Sequence, residues 1–226
     1  MSTNPQGNAQ PTYSITPTIL LAMTVVTGMV DAVSFLALGR VFTANMTGNV
    51  MLLGFAAGRT PGLSTERSLL ALAFFLIGAV LGGRIDLADA WRGLLLEAGL
   101  LGVAGLLAIG LETSEYTGTL HVSGVIAVCA VAMGMRNAIA RKLAVPDLTT
   151  TVLTLTLAGL GADSSLAGGE NPRWRRRIAA VLALLIGAAV GAPLTHHSAA
   201  LALGTCTAIS GFCAIFAFRN QRRRTT

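Results

Sequence analysis

The 226-residue chain is 53% hydrophobic and 12% charged, with a formal net charge of +6 and a mean hydropathy of +0.69. A soluble domain is typically about 25% charged, so this composition argues against a soluble enzyme and predicts an all-α bundle of membrane helices. The basic residues cluster at the ends of apolar segments and at the C-terminus. That distribution is typical of membrane topology signals, so no nucleic-acid partner is expected.

The chain opens with a polar segment, 1–16, which carries no Lys or Arg and is expected to be a disordered tail rather than a signal peptide. Eight apolar segments follow, at 17–38, 43–58, 68–85, 93–111, 119–139, 147–162, 178–195 and 198–218. Six are long enough to cross a hydrocarbon core of about 30 Å. Segments 43–58 and 147–162 are shorter and begin with polar residues, which predicts six spans plus two short re-entrant or broken helices.

Three short motifs recur in order along the chain, which predicts two internal repeats at 17–113 and 118–218. The recurring pairs are 28–32 with 134–138, 45–50 with 147–152, and 76–82 with 185–191. With three spans in each repeat, the two halves would have inverted orientations. With four spans in each, they would be parallel.

Basic residues are distributed unequally between the two sides of a six-span arrangement. One side would hold twelve of them and the other only Arg40, Arg59 and Arg67. The positive-inside rule therefore places both termini and the basic tail 219–226 in the cytoplasm. An eight-span arrangement remains an alternative with a weaker bias.

Short or interrupted segments at matching positions of two halves are typical of transporter binding sites. Residues at the start of the two short segments are therefore candidate contacts to a substrate or ion. They are the polar Asn45, Thr47 and Asn49, with Gly48 allowing close backbone approach, in the first, and Asp147, Thr149 and Thr150 in the second. The alternative is that they cap two ordinary helices.

Asp31 lies inside the first apolar segment, where an unpaired carboxylate is costly. Its repeat mate is Asn137, and next to that residue stands Arg136. All three are candidate site residues. Asp31 would either couple transport to a proton or cation, or form a buried ion pair with Arg136. Glu97 also falls inside an apolar segment, but it is near enough to one end that its carboxylate is expected to reach the interface.

No sequence motif for a nucleophile, a metal site or a nucleotide is found, so the protein is expected not to be an enzyme and to need no cofactor. The expected partners are membrane lipids and an unnamed small solute or ion. Because 226 residues is small for a transporter, a homodimer is an open alternative.

A long motif resembles the signature of the YoaK family of bacterial membrane proteins, whose function is unknown. It runs Gly28-x2-Asp31-Ala32-x-Ser34-Phe35-Leu36-x-Leu38-Gly39-x-Val41-Phe42-x-Ala44-Asn45-Met46-Thr47-Gly48-Asn49, and 136–138 and 145–154 resemble its second half. The resemblance implies about six spans in the bacterial inner membrane and no established substrate. From the two short segments and the carboxylate inside a span, the sequence predicts a small secondary transporter or channel. The alternative is a non-transport protein that binds lipid or assists membrane assembly.

Overall fold

A computed structural model describes residues 15–113, 119–143 and 153–225, and these residues form helices and no strands. The helices are α1 (Pro17–Ala37), α2 (Met46–Ala57), α3 (Thr65–Gly83), α4 (Ala90–Thr113), α5 (Thr119–Leu143), α6 (Leu153–Ala162), α7 (Trp174–His197) and α8 (Ala199–Thr225). Two single 3-10 turns, Leu87–Asp89 and Ser165–Ala167, precede α4 and α7. The predicted all-α bundle is confirmed.

Six of the helices are long and apolar enough to cross a membrane, as predicted. The other two, α2 and α6, contain 12 and 10 residues. At 1.5 Å per residue they are about 18 and 15 Å long, so neither can cross a bilayer core of about 30 Å. Two short helices are thus confirmed, and their re-entrant position stays a prediction.

Several helices extend beyond the predicted apolar segments. Helix α4 begins at Ala90 instead of residue 93, and α8 continues to Thr225, through the basic residues predicted as a tail. Arg and Lys are good helix formers with long side chains, so a helix can continue through them into the polar region. Of the predicted N-terminal tail, only Ile15 and Thr16 are described, and the Thr16 side chain caps α1.

Helices α1 and α5 are the most buried spans, and α3 and α7 are the least buried. Helix α1 packs along α7, α5 packs along α3, and α4 packs on both α5 and α8. The short helix α2 lies against α3, and α6 lies against α7. The core is therefore formed where α1, α4, α5 and α8 meet, with the short helices at the periphery.

Glycines allow α1 and α7, and likewise α3 and α5, to pack with their backbones in close contact. A Cβ on Gly28 would overlap Leu184 of α7, and a Cβ on Gly134 would overlap Phe75 of α3. The partner helices carry matching glycines: a Cβ on Gly187 of α7 would overlap Val25, and a Cβ on Gly78 of α3 would overlap Val131. The two helix pairs make equivalent contacts at the residues that the predicted repeat relates. The repeat itself and its inversion stay predictions.

Candidate functional site

Asp31 attaches the start of α2 to the side of α1. Its Oδ1 accepts hydrogen bonds from the backbone N–H groups of Thr43 (3.1 Å) and Ala44 (2.8 Å). These two residues belong to the loop between α1 and α2, where backbone donors would otherwise lack partners. Asp31 is half-buried. Its visible structural role is therefore to hold the loop in place.

The polar residues at the start of α2 complete this attachment. Asn45 caps α2 by accepting a hydrogen bond from the N–H of Gly48 (3.2 Å). Asn49 is fully buried and bonds both backbone polar groups of Phe42, accepting from its N–H (2.9 Å) and donating to its carbonyl (2.5 Å). A Cβ on Gly48 would approach the ring of Phe42 at 2.8 Å. Asn45 thus acts as the cap that the alternative interpretation expected.

A second polar cluster lies in the core, about one to two turns before Asp31 along α1. The guanidinium of Arg136 (α5) forms an ion pair with the Glu97 carboxylate (α4). It also donates to the Met23 carbonyl (2.7 Å) and to Thr27 Oγ1 (2.7 Å), both on α1. Ser210 of α8 donates to the same Glu97 oxygen (3.3 Å). Four spans therefore contribute to one site.

This cluster is isolated from the surroundings but not fully hydrogen-bonded. Arg136 is 4% exposed and Glu97 is 0% exposed. Within the described part of the chain, Arg136 Nε and Glu97 Oε2 have no hydrogen-bond partner. A cavity of about 20 Å³ touches Arg136 and is lined by residues near the start of α1 and the end of α5, among them Ile15 and Leu143. About 10–15 Å³ is enough for one water molecule.

The ion pair that the sequence suggested between Asp31 and Arg136 is not formed. Arg136 meets α1 at Met23 and Thr27, and Asp31 lies about 6 Å further along the helix than Thr27. The ion-pair partner of Arg136 is Glu97 instead. Asn137, the neighbour of Arg136, is half-buried and donates to the carbonyl of Met133 on its own helix (2.9 Å).

The expectation that the Glu97 carboxylate reaches the interface is wrong. Because α4 begins at Ala90, Glu97 lies about 10 Å into the helix, and its side chain points into the core. Thr27 and Ser210 were not recognised as site residues either. The signal available in the sequence was a lone carboxylate inside an apolar span, which is a functional candidate by default.

Of the remaining predicted site residues, the structure describes only Thr47, which is exposed on α2. Asp147, Thr149 and Thr150 lie outside the described residues. The described part of α6 packs on α7 whereas α2 packs on α3, so these two short helices lie against different spans.

Two comparisons place the chain among known proteins. The model of a family described as a protein of unknown function (DUF1275) matches residues 19–216. The chain belongs to this family. Within it, the chain is 36% identical over 157 residues to the UPF0700 transmembrane protein YoaK of Bacillus subtilis (strain 168), covering 66% of this chain and 67% of that relative. No solved structure matches the chain significantly. The resemblance to the YoaK family is confirmed, and this DUF1275 member is a multi-pass transmembrane protein.

Proposed function

We propose that this protein is a small secondary transporter or channel for a small solute or ion. The observation that carries the proposal is the Glu97–Arg136 pair, buried where four spans meet. Burying a charged pair has a desolvation cost of several kcal/mol per ion, which the mutual attraction does not always offset. Charged groups inside spans are rare and typically belong to an ion or substrate pathway.

The incomplete hydrogen bonding of the pair favours a functional role over a purely structural one. A pair that only fixes helix packing gains most when every polar atom is satisfied. Here one donor of Arg136 and one acceptor of Glu97 remain available. The small cavity beside Arg136 has room for about one water molecule and lies toward the end of the bundle where α1 begins. We propose that a proton or small ion reaches the pair from this side.

The two short helices give the proposal its second support. Short or interrupted helices at matching positions of two halves are typical of transporter sites, and α2 and α6 are too short to cross a bilayer core. Asp31 holds the loop before α2 against α1, about one turn from the Thr27 contact of Arg136, and Asn45 and Asn49 fix that loop and the first turn of α2. From this position, Asp31 is proposed to couple transport of the solute to a proton or cation. We propose no chemical reaction at the cluster of Arg136 and Glu97, and we propose that the protein is not an enzyme.

The proposed setting is the bacterial inner membrane, with both termini cytoplasmic. The support is the concentration of Arg and Lys at the predicted cytoplasmic ends of the spans. A homodimer remains part of the proposal because the chain is short. One specific observation favours the lipid-binding alternative. An apolar groove of about 460 Å³ runs between α1 and α8, lined by residues such as Ile19, Ile209 and Phe212.

The test is flux in proteoliposomes. Purified protein is reconstituted, and proton movement is followed with an internal pH dye while a panel of labelled amino acids, organic acids, sugars and inorganic cations is offered. We expect flux of at least one species above empty liposomes, lowered about tenfold or more by Glu97→Gln. Arg92→Gln is the matched control, because that arginine belongs to an exposed ion pair with Asp89.

Folded protein that moves no proton and no solute of the panel would overturn the transport proposal. Native mass spectrometry of the same sample decides the alternative. A tightly retained lipid together with no flux would support lipid binding. Flux that Glu97→Gln leaves unchanged would remove the ion pair from the mechanism.

A further inference from the structure

A large open cavity lies at the opposite end of α1 from the water-sized cavity beside Arg136. It has a volume of about 680 Å³ and opens where α1 ends and where α3 and α5 begin. Its lining includes Phe35, Gly39, Arg40, Gly62, Arg67 and Val122. Ligand pockets in proteins usually measure about 300–1,000 Å³, so this cavity is large enough for a small organic molecule.

Two arginines bring positive charge into this cavity from different elements. Arg40 lies just after α1 and Arg67 lies in the first turn of α3. Arg67 is half-buried, and its Nη1 donates to the carbonyl of Leu38 at 3.4 Å. This contact and the close approach to Gly39 place the guanidinium of Arg67 at the wall of the cavity, with further N–H donors for a ligand.

The backbone on both sides is shaped to fit the two guanidinium groups. Gly39 (φ +94°) and Gly62 (φ +78°) both adopt the left-handed region that favours glycine. A Cβ on Gly39 would overlap the guanidinium of Arg67, and a Cβ on Gly62 would lie 3.2 Å from Nη1 of Arg40. Arg40 itself has φ +58°, an uncommon conformation for a residue with a side chain. Such outliers cluster at functional sites.

Neither guanidinium has a carboxylate partner within the described residues. Arg92, Arg136 and Arg177 each form an ion pair with an acidic side chain. Arg40 and Arg67 form none in that part of the chain, and Glu66, the acidic residue next to Arg67, pairs with neither. The cavity therefore carries two positive charges that no described acidic group neutralises.

The positive-inside rule does not explain why arginines lie at the end of the bundle that holds this cavity. In the predicted orientation only three basic residues of the loops lie outside, namely Arg40, Arg59 and Arg67. The positive-inside bias acts against Lys and Arg on that side. Two of the three nevertheless line one cavity, and this concentration needs another cause.

We propose that this cavity binds a small anion through a carboxylate or phosphate group held between Arg40 and Arg67. The planar guanidinium matches both groups with two parallel hydrogen bonds, and charge-assisted bonds of this kind are the strong ones. The group can belong to a free solute or to the headgroup of an anionic lipid. This proposal is independent of the transport proposal, because an anion can bind in this cavity even if the protein transports nothing.

The experiment measures binding to the full chain in nanodiscs of neutral phosphatidylcholine. Inorganic phosphate and succinate are titrated by calorimetry, with sodium chloride at matched ionic strength as the reference. In a second arm, phosphatidylglycerol is added to the nanodiscs and bound lipid is counted by native mass spectrometry. Saturation by phosphate or succinate identifies a free anion, and retention of phosphatidylglycerol identifies a lipid headgroup.

Matched variants decide whether the cavity is responsible. We expect Arg40→Gln and Arg67→Gln each to weaken binding about tenfold or more, since each removes a hydrogen bond to a charged group. Arg59→Gln should leave binding unchanged, because Arg59 is exposed like Arg40 but does not line the cavity. Arg67→Lys keeps the charge and reports on the fork geometry if Arg67→Gln fails to fold.

Three results would overturn the proposal. In the first, no probe binds in either arm. In the second, binding persists unchanged in Arg40→Gln and in a folded Arg67 variant. In the third, Arg59→Gln weakens binding as much as the cavity variants, which would indicate general charge attraction.

Discussion

Arg136 and Glu97 form an ion pair across α5 and α4 in the core, and each side chain keeps one polar atom without a partner among the described residues. The two residues are 39 positions apart in the sequence. Their pairing replaces the approach of Asp31 to Arg136 that the sequence suggested. The two carboxylates therefore have different roles: Asp31 holds the loop before α2, and Glu97 compensates the buried charge of Arg136.

Removing one member of the buried pair should be strongly destabilising. Glu97→Gln leaves Arg136 charged in the core, and we expect the free energy of unfolding to fall by about 3–5 kcal/mol. The double variant Glu97→Gln, Arg136→Gln should recover part of this loss. Unfolding titrations in mixed micelles measure the coupling. The exposed pair of Arg92 with Asp89 is the control and should contribute about 0–1 kcal/mol. Equal coupling for the two pairs would contradict the burial argument.

The attachment of α2 to α1 predicts that the two substitutions of Asp31 differ. Asp31→Asn keeps an oxygen that can accept from Thr43 and Ala44, whereas Asp31→Ala leaves both donors without this partner. We expect Asp31→Ala to cost about 2 kcal/mol or more in unfolding free energy, and Asp31→Asn less. Proteolysis of the loop after residue 38 offers an independent measurement. Equal stability of the two variants would show that the loop does not need Asp31.

Flux through Asp31→Asn separates the structural role of Asp31 from a coupling role. The amide does not take up or release a proton in the accessible pH range. If Asp31 couples uptake to a proton, a folded Asp31→Asn variant should therefore lose the pH dependence of uptake. The measurement is solute uptake in proteoliposomes over a range of pH. Uptake that Asp31→Asn leaves unchanged at every pH would restrict Asp31 to holding the loop.

Glycine contacts predict a position-dependent effect of added methyl groups. Gly78→Ala should be destabilising by about 1–3 kcal/mol, because the new Cβ would overlap the backbone of Val131 on α5. Gly187→Ala should behave likewise against Val25. The matched control is Gly204→Ala in α8, where a Cβ meets nothing within 4 Å. That change should be neutral or slightly stabilising, since Ala favours the helix. Thermal unfolding of all three variants in one detergent tests the ranking.

Six spans and eight spans differ in where the loop at residue 62 lies. Six spans place a reporter fused after residue 62 outside and one fused after residue 168 inside. Eight spans place both inside. Paired alkaline phosphatase and green fluorescent protein fusions measure the side directly. We expect opposite sides, because neither α2 nor α6 is long enough to cross the bilayer. An internal reporter at residue 62 would contradict the six-span arrangement.

The sequence by itself determined which segments are helical and which are short. Apolar run length and capping residues act over a few neighbouring positions, so they can be recognised without knowing the fold. Asp31 and the residues at the start of α2 are also close in the sequence, so their polar side chains can be recognised there, but the sequence suggested substrate or ion contacts and the structure shows hydrogen bonds to the neighbouring backbone. Such hydrogen bonds are local, so only their partners within a few residues could be expected from the sequence.

Only the tertiary structure decided what surrounds Arg136. Glu97 and Thr27 lie 39 and 109 residues from Arg136, and Ser210 lies 113 residues from Glu97. They belong to three other helices, and each looks like a minor interruption of an apolar segment. Which faces of six similar helices meet depends on close packing at glycines and on the mutual fit of whole helices, and hydropathy does not record either. The cavity between Arg40 and Arg67 has the same origin, since it forms only where the ends of α1, α3 and α5 come together.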